Sequence, residues 1–200
     1  MIPNETRTKI TAALGRLHQG SSDFDLNPDA QLDPMRTLRP AAVLVALQHV
    51  GGEMHVVLTK RASHLKHHAG QISFPGGKQE EADDSLEQTA LREAEEEIGL
   101  PPQKVEILGA MPTHETVTNF TVTPILGLIR ATFIPTPDHN EVAEVFTAPL
   151  SHVTNPTRFS VQGRRWRGQR RAYYTVPYGP YYIWGATARI LRALAEGMNP

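Results

Sequence analysis

The sequence predicts one mixed α+β domain, and three observations lead to this fold class. Apolar segments of strand length, for example residues 41–47 and 105–111, are bounded by glycine or proline residues. Three other segments, residues 3–19, 86–100 and 186–195, space their apolar residues as helices do. The chain has 200 residues, a length that suits a single domain with a sizeable core.

The N-terminal region, residues 1–35, is predicted to hold a helix and a connection. Residues 3–19 form the helix, with Asn4 as its N-cap and Gly20 as the residue that ends it. Residues 21–40 are polar, rich in aspartate and proline, and show no periodicity, so we expect a connection and no second domain. The apolar stripe of the helix consists of Ile10, Ala13, Leu14 and Leu17.

The strands are predicted from apolar runs between turn residues, in order at residues 41–47, 54–61, 105–111, 121–130 and 145–150. The first two form a hairpin across Gly51-Gly52. Pro124 inside the fourth run predicts an edge strand or a bulge, and residues 131–134 are expected to continue that strand. Residues 158–176 predict a second hairpin with a basic tip, and residues 181–200 contain the closing helix.

Composition and charge exclude several classes of function. The formal net charge of −1 gives no general attraction to nucleic acid or to anionic membranes. The absence of cysteine excludes disulfides and thiolate chemistry. No apolar run approaches the ~20 residues that span a bilayer, and neither end of the chain resembles a targeting signal. We therefore expect a cytoplasmic protein that acts on a small molecule, without a membrane partner.

The helix at residues 86–100 carries the most informative cluster of charges. Glu93, Glu96 and Glu97 stand at i, i+3 and i+4, so their carboxylates share one helical face. Like charges at this spacing destabilise an isolated helix, whereas a hard divalent cation with oxygen ligands converts them into a binding site. The opposite face is apolar, which indicates that the helix is docked, and a bare acidic face exposed to solvent is the alternative.

The segment 76–100 resembles the Nudix box, the signature of hydrolases that cleave nucleoside diphosphates linked to another group. Residues 92–100, Arg-Glu-Ala-Glu-Glu-Glu-Ile-Gly-Leu, match the second half of the box at every fixed position. In the first half, counting back from Arg92 puts the acidic position on Asp84 and the glycine position one past Gly77. Either the loop holds one extra residue or Asp83 is the acid.

The twenty residues upstream resemble an additional signature of the coenzyme A pyrophosphatases within this family. The matching residues begin in the second predicted strand and end at the glycine pair: Leu58, Thr59, Arg61, Ser63, Gly70, Phe74, Pro75, Gly76 and Gly77. Lys66 stands where those enzymes usually have arginine. The same segment concentrates positive charge beside the acidic helix, an arrangement that suits a pyrophosphate.

The resemblance implies a mixed sheet sandwiched between helices, with the box as a loop-helix-loop, and hydrolysis of coenzyme A to 3′,5′-ADP and 4′-phosphopantetheine. It implies Mg²⁺ or Mn²⁺ held by Glu93, Glu96 and Glu97. Glu97 or the loop residue Glu141, with Glu144 behind it, is expected to serve as general base. The remaining expected roles are Arg92 as a residue that orients a carboxylate, and Arg61, Lys66, Gly76 and Gly77 as the substrate-binding residues.

Two alternatives remain open from the sequence. The first is a Nudix hydrolase of another diphosphate, such as ADP-ribose, NADH or a nucleotide. The second is a non-catalytic module that binds a nucleotide or RNA through the basic hairpin, whose cationic residues are Arg164, Arg165, Arg167, Arg170 and Arg171. A homodimer is also left open, because the apolar stripe of the N-terminal helix suits either a core or an interface.

Overall fold

The computed structural model describes residues 4–30, 35–166 and 169–199. In this part of the chain the α-helices are α1 (Asn4–Leu14), α2 (Leu86–Ile98), α3 (Leu150–Val153) and α4 (Gly185–Met198). The strands, numbered in chain order, are β1 (Ser21–Ser22), β2 (Arg39–Val50), β3 (Glu53–Arg61), β4 (Ile72–Ser73), β5 (Gly76–Lys78), β6 (Val105–Ala110), β7 (His114–Glu115), β8 (Phe120–Ile129), β9 (Val142–Pro149), β10 (Ser160–Trp166) and β11 (Gln169–Thr175).

The first nine strands form one mixed sheet, and helices cover both of its faces. β2 lies at the centre, parallel to β8 and antiparallel to β3, and successive residues of β2 face opposite sides of the sheet. Val45 and Leu47 belong to the core shared with α1 and α4, whereas Leu44 and Ala46 belong to the core shared with α2. The predicted sandwich of helix, mixed sheet and helix is therefore confirmed, and the continuous apolar run of β2 reflects burial on both faces.

A gap between β2 and β3 determines where the site lies. The two strands pair only near their shared turn at Gly51-Gly52 and then separate. β4 pairs with β3 on one side of the gap, and β5 pairs with β2 on the other. The segment 72–78 therefore crosses the gap, with the backbone N–H of Leu44 donating to the carbonyl of Pro75 at 2.8 Å.

Helix α2 begins and ends on local signals. The hydroxyl of Ser85 accepts a hydrogen bond from the N–H of Gln88, and Gly99 adopts the left-handed conformation (φ 68°) that terminates the helix. Its buried residues Ala90, Ala94 and Ile98 pack on the sheet. The predicted docked helix with a stop at Gly99 is confirmed.

Several predicted boundaries were wrong for reasons of tertiary structure. The N-terminal helix ends at Leu14, before Gly15, whose helix propensity is low, so Gly20 does not terminate it. Residues 131–134 form a loop, and Leu150 begins α3. The short strand β7, His114–Glu115, was not among the predicted strands. Asn4, the predicted N-cap, lies within α1, and its side chain is outside the described part of the chain.

The expectation that Pro124 marks an edge strand was also wrong. β8 is flanked by β2 on one side and by β6 and β7 on the other. Pro124 falls between the stretches paired with β6 and with β7, at a position where its missing N–H breaks no ladder, and its carbonyl accepts from the N–H of Met111 at 2.8 Å.

The apolar stripe of α1 is part of the core. Ile10 and Ala13 are buried, and α1 packs against α4 so closely that a Cβ on Gly197 would lie 2.7 Å from the carbonyl oxygen of Ala13. None of the helices in the described ranges is long and apolar enough to cross a membrane.

Candidate active site

The glycine pair allows the carboxylates of α2 to lie directly against the backbone. Gly76 has φ 153°, and a Cβ there would lie 2.4 Å from the carbonyl oxygen of Ala42. A Cβ on Gly77 would lie 2.4 Å from Oε1 of Glu93. The N–H of Gly76 donates to Oε2 of Glu97 at 3.2 Å. A side chain is therefore excluded at the two positions for different reasons: Gly76 packs against the backbone of β2, and Gly77 leaves room for the carboxylate of Glu93.

Glu97 is a buried carboxyl group, only 4% exposed. Its pKa is raised to about 8, chiefly by burial and to a smaller extent by the nearby charges of Glu93 and Glu141. The hydrogen bond from Gly76 and the guanidinium of Arg61, whose Nη1 lies 3.8 Å from Oε1, oppose this shift. The net result is a carboxylate whose negative charge is under-compensated by the side chains around it.

Glu93 lies next to this group in a half-buried position. Burial raises the pKa of Glu93, and the guanidinium of Arg92, with Nη2 3.1 Å from Oε1, partly reverses the effect. The charge of Glu141 also raises the pKa of Glu93, so the three carboxylates of Glu93, Glu97 and Glu141 act on one another. Two of the three predicted metal ligands, Glu93 and Glu97, thus lie close enough to the predicted loop base, Glu141, for its charge to act on them.

Arg92 joins the loop before α2 to the helix. Its Nε and Nη2 donate to the two carboxylate oxygens of Asp83 at 2.9 and 3.0 Å, and Nη1 donates to Glu96 at 2.9 Å. Asp83 is buried and also accepts from the hydroxyl of Thr89 and the N–H of Glu80. The guanidinium holds the pKa of Asp83 well below its usual range. These contacts favour the expected orienting role for Arg92.

The same contacts decide between the two acids of the loop. Asp83 binds Arg92, whereas Asp84 is exposed and uses its backbone N–H to bond the side chain of Gln88. Counted from Gly77, Asp83 stands at the common spacing of the box, so the extra residue lies between Asp83 and Arg92. The regular count from Gly77 is the signal in the sequence that points to Asp83.

Glu96, the third predicted metal ligand, stands apart from the pair. Its side chain is 60% exposed and its carboxylate is bound by Arg92. In the part of the chain that the structure describes, no group of three or more acidic or histidine side chains is already placed to hold one ion. Glu93 and Glu97 are therefore the residues that face each other, and the role of Glu96 stays a prediction.

The loop that carries Glu141 is fastened to the end of α2. The N–H groups of Thr136 and Asp138 donate to the carbonyls of Ile98 and Glu97, at 2.9 and 3.0 Å. The carbonyl of Glu141 accepts from the N–H of Ala62 at 2.8 Å, directly after Arg61. The second candidate base, Glu144, instead accepts a hydrogen bond from the hydroxyl of Tyr181.

Of the residues in the segment before the glycine pair, some lie near the carboxylates and others are exposed to solvent. Arg61 reaches Glu97, and Phe74 is buried in the core. Lys66 is exposed, and within the described residues its ammonium makes no hydrogen bond or ion pair, so the structure does not bring it to the carboxylates. His67 is likewise exposed, whereas His68 bonds Gln71 at 3.0 Å and lines a cavity.

This cavity has a volume of about 390 Å³ and adjoins the carboxylates through Arg61 and Gly76. Its far wall is formed by the second hairpin and the start of α4, through Arg164, Arg171 and Trp184. Sequence analysis singled out the basic hairpin as an RNA-binding alternative and did not connect it with the carboxylate site. The predicted hairpin itself is confirmed, while Arg167, Gly168 and the side chain of Trp166 lie outside the described residues.

Known proteins match most of the chain. The model of the NUDIX domain matches residues 37–168. The chain is 40% identical over 172 residues to a protein of Pectobacterium atrosepticum named as an uncharacterized Nudix hydrolase NudL, covering 86% of this chain and 89% of the relative. It is 40% identical over 189 residues to the protein of the same name from Enterobacter sp. (strain 638), covering 88% and 98%.

Among solved structures, the Nudix hydrolase RenU from M. Smegmatis aligns with a TM-score of 0.50 and 20% identity, covering 60% of this chain and 83% of that one. A likeness at this identity concerns the fold. Together with the matched domain and the relatives at 40% identity, it leads to one conclusion: the chain belongs to the Nudix domain family.

Proposed function

We propose that this chain hydrolyses the diphosphate of coenzyme A, or of a close derivative, to 3′,5′-ADP and 4′-phosphopantetheine. The observation that carries the proposal is the position of Arg61 and Gly76. Both belong to the upstream segment that resembles the coenzyme A pyrophosphatase signature, and both contact Glu97 and line the adjoining cavity. A diphosphate beside Glu97 thus has room for an organic substituent on the cavity side.

The residues of the site fit a divalent cation. Glu93 and Glu97 offer hard oxygen ligands, and the raised pKa values of both mean that their negative charges lack full compensation from the protein. Nudix hydrolases generally use Mg²⁺ or Mn²⁺. When bound, such an ion neutralises charge on the diphosphate and lowers the pKa of a coordinated water. Glu96, which has to leave Arg92 in order to approach, is the proposed third ligand, either directly or through water.

The protein's own groups supply binding, orientation and proton transfer. We assign Arg61 to a phosphate oxygen, because its Nε is buried without a hydrogen-bond partner among the described residues. Lys66 is proposed to reach the substrate from its exposed loop. Glu97 or Glu141 accepts the proton of the attacking water, and the loop position of Glu141 next to Arg61 favours this role.

A panel of substrates tests the proposal. Purified protein with Mg²⁺ or Mn²⁺ is incubated with coenzyme A, an acyl-coenzyme A, ADP-ribose and NADH, and the products are resolved by mass. We expect 3′,5′-ADP and 4′-phosphopantetheine with the highest kcat/KM for the coenzyme A substrates. Faster hydrolysis of ADP-ribose or NADH would assign the chain to the alternative class of diphosphates.

The non-catalytic alternative predicts a different result in the same panel. A module that only binds RNA would show no turnover and a steep decrease of RNA affinity with salt. The pair of buried or half-buried glutamates favours the enzyme, since a pure binder of anions does not need them. A cytoplasmic location and a homodimer remain predictions, for which fractionation and sedimentation are the measurements.

A further inference from the structure

The cavity next to the carboxylates has a basic wall that the reaction at the diphosphate does not require. Arg164 in β10 and Arg171 in β11 stand directly opposite each other in the antiparallel register, and both line the cavity. Like charges directly opposite on neighbouring strands destabilise a hairpin. An anion bound by both guanidinium groups would reduce this repulsion.

Aromatic rings hold both arginines in place. The guanidinium carbon of Arg164 lies 4.9 Å from the ring centroid of Trp184, and that of Arg171 lies 5.7 Å from the ring centroid of Phe24. A guanidinium stacked by its face keeps its N–H groups at the edge, where they are able to bind an oxyanion. Within the described residues, Arg164 makes no ion pair.

Positive charge predominates in the lining of the cavity. Among the described residues that line it, Asp23 is the acidic one, and both of its oxygens are engaged. His114 bonds Oδ1 at 3.2 Å, and the N–H of Val117 donates to Oδ2 at 2.9 Å. Arg61 adds a third guanidinium at the end nearest Glu97. The cavity therefore carries positive charge both at the diphosphate end and at the hairpin wall.

The rest of the lining is largely apolar, with Val43, Ile72, Phe74 and Val117 among its residues. A cavity of about 390 Å³ lies in the size range of small-molecule sites, which combine an apolar lining with a few placed polar groups. Such a lining suits the uncharged part of a substrate that connects two anionic groups, one at each end.

We propose that Arg164 and Arg171 form a clamp for a second phosphate of the substrate, a phosphomonoester that is not cleaved. The inference rests on the proposed function and deepens it, because it defines the substrate class as diphosphates whose nucleotide half carries an additional phosphate, as the 3′-phosphate of coenzyme A does. The NUDIX match ends at residue 168, so Arg171 and Trp184 lie outside the segment that this chain shares with the family model. Arg164 lies inside the matched segment, so the proposed clamp combines one residue of that segment with one residue beyond it.

Two substrates that differ only in this phosphate test the clamp: coenzyme A and 3′-dephospho-coenzyme A. In the unaltered protein we expect kcat/KM for coenzyme A to exceed that for the dephospho form by about 10- to 100-fold, the range of one or two hydrogen bonds to a charged group. The double variant R164Q/R171Q is expected to bring this ratio close to one.

The hairpin itself offers a matched control. Arg165 and Arg170 are also directly opposite each other, one position further along, where side chains point to the other face of the hairpin. The variant R165Q/R170Q removes the same charge from the same strands, and we expect it to keep the substrate ratio of the unaltered protein. If both double variants lose the preference for coenzyme A over its dephospho form to the same extent, the preference reflects general electrostatic attraction, and the clamp is overturned.

A binding measurement keeps the clamp testable apart from turnover. Calorimetry is expected to show tighter binding of 3′,5′-ADP than of AMP, with the difference lost in R164Q/R171Q and kept in R165Q/R170Q. Equal affinities in the unaltered protein, or equal hydrolysis of the two coenzyme A forms, overturn the clamp and leave the proposed function standing. Hydrolysis of ADP-ribose without hydrolysis of either coenzyme A form instead overturns the proposed function, and the affinities for 3′,5′-ADP and AMP then decide on the clamp.

Discussion

The carboxyl group of Glu97 combines properties that are unfavourable in an ordinary core. It is almost fully buried, it lies beside Glu93, and its pKa is raised to about 8, so at neutral pH and without a cation it is mainly protonated. Displacement of this proton by a divalent ion restores the charged form. Residues with such shifted pKa values cluster at functional sites, which agrees with the proposed role.

Glutamine at position 93 or 97 is therefore expected to abolish hydrolysis and to preserve the fold. The carboxamide keeps the volume of the side chain and removes the charge that the cation requires, so we expect kcat to fall by about 10²- to 10⁴-fold with an unchanged far-UV circular dichroism spectrum. E96Q tests the third proposed ligand, and we expect a smaller decrease of kcat because the carboxylate of Glu96 is exposed and bound to Arg92. Wild-type-like turnover in E93Q or E97Q would refute the metal assignment.

The two neighbouring glycines are expected to respond differently to alanine. A Cβ on Gly76 meets the backbone of β2 and requires a φ of 153°, so G76A should lower the free energy of unfolding by roughly 2 kcal/mol or more. A Cβ on Gly77 meets the end of the Glu93 side chain, which is able to move.

G77A should therefore weaken activation by Mg²⁺ with little change in stability. Urea unfolding and Mg²⁺ titration of the activity distinguish the two effects. A G77A variant with normal Mg²⁺ dependence would show that the position of Glu93 against the glycine does not matter.

At the scale of elements, one side chain from the N-terminal connection helps to hold the basic hairpin in place. The carboxamide of Asn27 bonds both the carbonyl and the N–H of Ala172, at 2.9 and 2.8 Å, as a neighbouring strand would. In the described part of the chain β10 and β11 form a separate two-stranded sheet. The bonds of Asn27 therefore add to the packing of β11 on α4 and to the bridge from Thr175 to Trp184 in holding the hairpin beside the cavity.

Replacement of Asn27 by alanine is expected to raise KM for coenzyme A several-fold and to change kcat little, because the hairpin loses its anchor while the carboxylates stay in place. N155A is a suitable control, since Asn155 caps a turn by accepting from the N–H of Thr157 and does not line the cavity. A decrease of kcat without a change of KM in N27A would place the effect at the carboxylates.

The elements also show which structural features the sequence was able to predict. Helix α2 was predictable because Ser85, Gly99 and the apolar face are local signals. The position of Pro124 in a central strand was not predictable. β8 accommodates a proline there because the pairing with β6 has ended and the pairing with β7 has not begun, and these pairings join residues distant in sequence. The contribution of Arg164 to the site was missed for the same reason: no local pattern indicates that a hairpin folds over a cavity.

At the scale of the whole molecule, two carboxyl groups give opposite dependences of stability on pH. The lowered pKa of Asp83 contributes stability that is present above the unfolded pKa near 4 and is lost as the pH falls. The raised pKa of Glu97 contributes stability that is present below about pH 4.5 and is lost as the pH rises towards 8. For these two groups, the metal-free protein is most stable at mildly acidic pH.

The free energy of unfolding of the metal-free protein should therefore decrease between pH 5.5 and 8.5, by on the order of a few kcal/mol, since one pKa unit corresponds to about 1.4 kcal/mol. Its melting temperature should fall over the same range. Added Mg²⁺ should raise the melting temperature most at pH 8.5, where the carboxyl group of Glu97 ionises most readily. E97Q should remove both the decline and most of the response to Mg²⁺. Thermal melts in EDTA and in Mg²⁺ measure this, and an identical decline in E97Q would assign it to other groups.

The cavity wall joins segments from both ends of the chain, and this has a consequence for folding. Contact between Gly76 and Glu97 closes a loop of 21 residues, whereas the bond from Thr187 to Ile72 spans 115 residues and the bonds of Asn27 with Ala172 span 145. Long loops close more slowly than short ones. During refolding, the carboxylate site is therefore expected to be protected from hydrogen exchange before the cavity wall, so that the chain acquires its reactive centre first and its selectivity last.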